Sequence, residues 1–227
     1  MLLDLHDAIS DIGIGVLILA VAGWAAHYRR LPRAFRYLGL YLACNLSVQV
    51  VAHQLWLRSM NNLPLLHLNT LLKFVMFSLF FRELYIDMRW FKRWFWYVVG
   101  SGVLLLVANS LWRESVFGFN TVAKAAVQLC LMGYVVAYFF DAFGRVDFAQ
   151  ILPQIIGSVC YAILLYYAGS LFIFMFGQWM VRENPGDAFQ SVWIVNAIFS
   201  TLFQLVAMTA IYRVVWQRRR IRAESGG

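Results

Sequence analysis

The sequence predicts an all-α integral membrane protein, a single domain over 1–227 built from seven transmembrane helices, with its N-terminus outside and its C-terminus cytoplasmic. Three observations predict it. Of the 227 residues, 62% are hydrophobic and only 13% charged, against about 25% charged in ordinary soluble domains. Apolar runs of about 18 residues or more, long enough to cross a hydrocarbon core, recur along the whole chain. The basic residues fall on alternate connections, as the orientation rule for membrane helices requires.

Span 1 covers 9–26. The first eleven residues hold Asp4, Asp7 and Asp11 and no lysine or arginine, unlike the positive start of a secretory signal, so this run is expected to be retained. A basic segment follows over 27–36, where Pro32 breaks the helix. Span 2 is 37–56, and the turn after it carries the turn formers Asn61, Asn62 and Pro64. Span 3, 65–85, leads into an aromatic-basic loop over 87–94. Span 4 is 95–112, with a turn around Gly118. Span 5 is 120–140, followed by a connection over 141–153. Span 6 is 154–179, with a polar turn at Asn184, Pro185 and Gly186. Span 7 is 192–216, and a short basic cytoplasmic tail occupies 217–227.

On one side lie Arg29, Arg30, Arg33 and Arg36, then Arg82, Arg89, Lys92 and Arg93, then Arg145, then Arg213, Arg218, Arg219, Arg220 and Arg222. The other side has Arg58, Arg113 and Arg182. This excess assigns the basic side to the cytoplasm. Trp56, Trp90, Trp94, Trp96, Trp112, Trp179, Trp193 and Trp216 fall near run ends, at the headgroup level that indole rings prefer.

Composition and motifs exclude several classes. Cys44, Cys130 and Cys160 sit in apolar runs without metal or redox spacing, which reads as small buried hydrophobes. No zincin, nucleophile-elbow, phosphate-loop or dinucleotide motif occurs, and span 7 has no lysine to carry a retinal. Catalytic residues, a metal and a cofactor are therefore not expected. The basic tail reads as a topology signal touching anionic lipid rather than nucleic acid. No extramembrane stretch is long enough for an effector domain, so any output passes to a partner protein.

Four spans each carry one polar line at a spacing of four, which keeps residues near one helix face. They are Asn45, Gln49 and His53 on span 2, Asn69 and Lys73 on span 3 with His67 and Thr70 beside them, Asn120, Lys124 and Gln128 on span 5, and Asn196, Ser200 and Gln204 on span 7. Polar groups facing lipid are costly, so the lines are expected to face one another around a polar interior open toward the outer half of the membrane. A polar packing seam would give the same pattern. Lys73 lies eight residues past Leu65, about 12 Å down the helix at 1.5 Å per residue, close to the midplane. An ammonium there needs a counter-charge, water or a guest molecule. Lys124 is one turn from its span's outer end, where its stem could snorkel.

Among the acids, Asp11 is the deepest on the outer end of span 1 and is the candidate counter-ion for Lys73. His53 and His67 flank one short turn and are expected near each other. A pair of histidines is a weak metal signal but suits proton sensing. Tyr161, Tyr166, Tyr167 and Ser170 of span 6 could add hydroxyls. Beyond the lipid bilayer, the implied partner is a small polar or anionic ligand. The leading expectation is a sensor or receptor-like module at the cell inner membrane. The alternatives are a secondary transporter and a structural subunit of a membrane complex.

Overall fold

The computed structural model describes residues 2–85, 88–118, 120–143, 151–183 and 187–225. Regular structure among them is entirely helical: α1 Leu2–His27, α2 Arg33–Leu57, α3 Leu63–Leu84, α4 Arg89–Ala108, α5 Thr121–Ala142, α6 Ile151–Glu183 and α7 Asp187–Ser225. A 3-10 turn at Tyr28–Arg30 follows α1, and a π-helical turn at Asn109–Arg113 extends α4. The expected turn at 184–186 and most of the connection before α6 lie outside the described residues, as do the side chains of Asp4, Asp7, Trp56, Trp179, Arg182, Trp193 and Arg222.

Six helices, all but α2, are long and apolar enough to cross a membrane, which gives the chain the makeup of a multi-pass helical membrane protein. The 22 residues of α3 make a rod of about 33 Å, matching a hydrocarbon core of about 30 Å. At 25 residues α2 is no shorter. Arg33, Arg36, Asn45, Gln49, His53 and Gln54 dilute its apolar character instead.

Contacts between named residues fix the direction of each helix. Trp24 of α1 meets Gly39 of α2, Tyr41 of α2 meets Phe77 of α3, and Phe74 of α3 meets Gly102 of α4. Phe139 of α5 meets Tyr161 of α6, and Tyr166 of α6 stacks on Phe203 of α7. Neighbours in sequence thus pack antiparallel. The odd-numbered helices run one way: Ser78 of α3 donates to Tyr134 of α5 at 3.3 Å, and Tyr212 of α7 donates to the Leu19 carbonyl of α1 at 3.2 Å. The principal packing pairs close a ring, α1–α2–α3–α5–α6–α7, and leave α4 outside it against α3. On α4 the side chains of Trp90, Trp94, Trp96, Tyr97, Leu104 and Leu105 are exposed, as a lipid-facing helix requires.

Close backbone approach builds part of the ring. A Cβ on Gly39 would overlap the Trp24 indole, and one on Gly23 would lie 2.6 Å from the Tyr212 ring. Small residues where helices cross are how membrane bundles gain packing energy in the absence of a hydrophobic drive. The end of α2 is closed by Ser59 in the left-handed region, φ 54°, and Met60 N donates to the Leu55 carbonyl at 2.9 Å.

Several expected boundaries shift. The aromatic-basic segment before span 4 is helical from Arg89, because Phe91 and Phe95, four apart, are both buried on one face. Pro153 does not delay α6, since it falls in the first turn where no backbone donor is needed. The basic tail continues α7 as helix through Ser225.

Candidate functional site

An aromatic floor sits within the ring. Phe77 of α3 is fully buried and touches Tyr41 at 4.6 Å, Tyr167 at 6.0 Å and Phe203 at 6.2 Å between ring centroids. Tyr166 stacks on Phe203 at 5.7 Å. Such offset and edge-on rings fill space densely and are worth about 0.5–1.5 kcal/mol per pair beyond their buried area. Below it the packing stays aromatic through Phe80, Phe81, Tyr85, Phe91 and Tyr134. The basic end of the bundle is therefore plugged.

Lys73 lies one turn from Phe77, on the other side of this floor. Its ammonium is 5.9 Å from the centroid of the Tyr166 ring, across the bundle on α6. Lys124 of α5 lies one turn before Gln128 on the same helix. Both side chains are half-buried. No carboxylate of the described residues is within ion-pair reach of Lys73.

Amide side chains lie on the same two helices and on α2 and α7. Gln128, buried on α5, donates to Ser170 Oγ of α6 at 2.8 Å. Gln204, buried on α7, donates to Ser200 Oγ at 3.3 Å. Asn69 donates to Asn45 Oδ1 at 3.4 Å, joining α3 to α2. Asn120 donates to Thr70 Oγ1 at 3.0 Å, joining α5 to α3. One oxygen each of Asn120, Gln128, Asn196 and Gln204 is buried without a partner among the described residues. A buried acceptor left unmade costs about 1–3 kcal/mol, so the interior is short of donors. The α5 line fans between two neighbours, Asn120 toward α3 and Gln128 toward α6. Eight residues at 100° each rotate a helix face by about 80°.

Three expected site residues fall elsewhere. Asp11 is exposed. Gly13, two residues along and so about 200° around α1, is the one that faces Thr201 and Gln204 of α7. The structure therefore does not bring Asp11 to Lys73. His53 is exposed near the end of α2, while His67 is buried and turned toward α4. Its Nδ1 lies 2.8 Å from Ser110 Oγ and its Nε2 3.3 Å from the Gly118 carbonyl. The two histidines do not converge, and His67 ties the α4–α5 connection to α3. Gln49 is half-buried on α2.

A cavity of about 210 Å³ opens beside His67 between α3, α4 and α5, with Thr70, Ser110 and Asn120 as its polar lining and Leu71, Leu106 and Val116 among its apolar walls. Glu114 lies between the π-helical turn and α5. In the structure it accepts from the backbone N–H of Thr121, Val122 and Ala123 at 2.9, 2.7 and 3.3 Å and from Asn109 Nδ2 at 2.6 Å. It thereby caps the start of α5. Burial alone would raise its pKa, but the hydrogen bonds from Val122, Asn109, Ala123 and Thr121 outweigh burial and hold the carboxyl below its usual range.

Chemically, the interior offers positive charge with amide acceptors around it, above a closed floor. Comparison with family models, with curated proteins and with solved structures found no match for this chain.

Proposed function

We propose that this chain spans the bacterial inner membrane seven times, N-terminus outside and C-terminus cytoplasmic, and binds a small anionic ligand in a chamber open to the outside. The carrying observation is Lys73, which reaches across the bundle to within 5.9 Å of the Tyr166 ring centroid above the aromatic floor. An ammonium held inside a bundle near midplane is stabilised by a guest anion far more than by lipid. Unpartnered oxygens on Gln128 and Gln204 suit a ligand that carries hydroxyl or amide donors beside its anionic group. The floor of Tyr41, Phe77, Tyr166, Tyr167 and Phe203 closes the chamber toward the basic end, which favours sensing over passage. Output would leave through a partner protein at the basic loops and tail.

Secondary transport is the second reading, favoured by the depth of Lys73 at the boundary between chamber and plug. Thermal-shift screening of carboxylates, phosphates and amino acids, paired with proteoliposome uptake of each hit, separates the two. Sensing predicts stabilisation lost in Lys73→Ala without flux, and transport predicts flux lost in the same variant. Neither response to any anion would leave the structural-subunit reading. Single cysteines at Arg29 and Arg58, labelled in intact cells by an impermeant maleimide, test the orientation. Only the second should react.

A further inference from the structure

At the basic end, α1 and α7 run side by side in the same direction, which brings the extension of α7 against the turn after α1. Arg218 Nη1 donates to the Arg30 carbonyl at 2.8 Å. Arg219 Nη2 lies 3.0 Å from His27 Nε2. His27 Nδ1 is 3.0 Å from the Gly23 carbonyl, which only accepts, so Nδ1 carries the hydrogen and Nε2 accepts from Arg219. Arg36 donates to the carbonyls of Leu31 at 3.0 Å and Arg29 at 3.1 Å. Beside these bonds is a basin of about 680 Å³ lined by Ala25, Ala26, His27, Tyr28, Arg29, Arg30 and Arg219, of which His27 and Arg219 are held by the bond between them.

Arg29, Arg30 and Arg36 lack acidic balance from their own segment, since no Asp or Glu occurs between residues 12 and 82. Arg219 spends one donor on His27 and keeps others of its five for a ligand. The basin also sits at an aromatic rim. Trp24 donates to the Arg36 carbonyl at 3.2 Å, Arg36 lies over the Tyr28 ring at 5.2 Å, and Arg220 lies over the Trp216 ring at 5.9 Å. Tyr28 and Trp216 are exposed. Half-apolar rings of this kind mark the headgroup level, where a phosphate reaches the arginines while its glycerol and acyl chains lie along Ala25 and Ala26.

We propose that this basin is a binding site for the phosphodiester headgroup of an anionic phospholipid in the leaflet at the basic end. Forked guanidinium groups match phosphate oxygens in pairs, and basic pockets between membrane helices are suited to such headgroups. The site is separate from the outer chamber and does not depend on it.

The test is titration of the full chain in non-ionic detergent, where no charged bilayer surface exists, with phosphatidylglycerol read by native mass spectrometry. One saturable lipid is expected on the wild type. Arg29→Gln with Arg219→Gln should weaken it by about twentyfold, roughly fivefold per arginine. Arg89→Gln with Arg93→Gln, at the same end but outside the basin, should leave it within about twofold. Equal loss in both pairs would overturn the site in favour of diffuse charge. Displacement of the lipid by millimolar inorganic phosphate would overturn the lipid assignment in favour of a soluble phosphate ligand. Should the double variant fail to fold, Arg219→Lys serves instead: it keeps the charge, loses the fork and is expected to weaken binding, and unchanged binding would overturn the proposal.

Discussion

Lys73 on α3 reaches across the bundle to α6, its ammonium 5.9 Å from the centre of the Tyr166 ring. An ammonium facing an aromatic face is attracted by about 0.5–2 kcal/mol, less than the several kcal/mol it costs to hold the charge at membrane depth. Lys73→Met should therefore raise the midpoint of thermal unfolding in detergent while abolishing anion-induced stabilisation. A fall in the midpoint would make the lysine a packing element.

Gly39 and Trp24 pack α2 onto α1 with no room between them. Gly39→Ala forces the indole to move and strains its bond to the Arg36 carbonyl. Overpacking of this kind costs about 1–3 kcal/mol. Thermal unfolding in detergent should show the loss. Gly100→Ala on α4 meets open space and should be silent.

Glu114 gives the bundle an acid-sensitive joint. Its carboxyl is held below the usual range in the folded chain, so its contribution is present above the unfolded value of about 4.3 and is lost as pH falls through the lower folded value. Hydrogen exchange at Thr121, Val122 and Ala123 should accelerate in that acid window. Glu114→Gln should speed exchange at neutral pH and remove the acid dependence. The lost cap is worth about 1 kcal/mol.

Gln128 and Ser170 form a direct polar bond between α5 and α6. A double-mutant cycle with Gln128→Leu and Ser170→Ala should give a coupling near 0.6 kcal/mol, the mean for such bonds in membranes. Gln128→Leu alone should cost little, because it also removes an unpartnered oxygen.

The helical membrane class was legible because bilayer length and loop charge are written locally, in runs of one segment at a time. The start of α4 was misread because lysines and arginines around Trp90 and Trp94 resemble a loop. The telling signal was the four-residue spacing of Phe91 and Phe95. His67 could not be placed from sequence, since its partners Ser110 and Gly118 lie 43 and 51 residues away. Asp11 was assigned by elimination among the acids, with no account of which face of α1 turns inward. Gly13 held that information, as the small residue admitting Thr201. The cap by Glu114 was hidden because the acid precedes the helix by seven residues rather than standing at its first turn.

The pairing of α1 with α7 has a consequence for biogenesis. Residues 28–186 must be made before α1 can meet α7, so the first helix waits for this partner through most of that synthesis. Because the two helices point the same way, the start of α1 and the end of α7 lie at opposite ends of the pair.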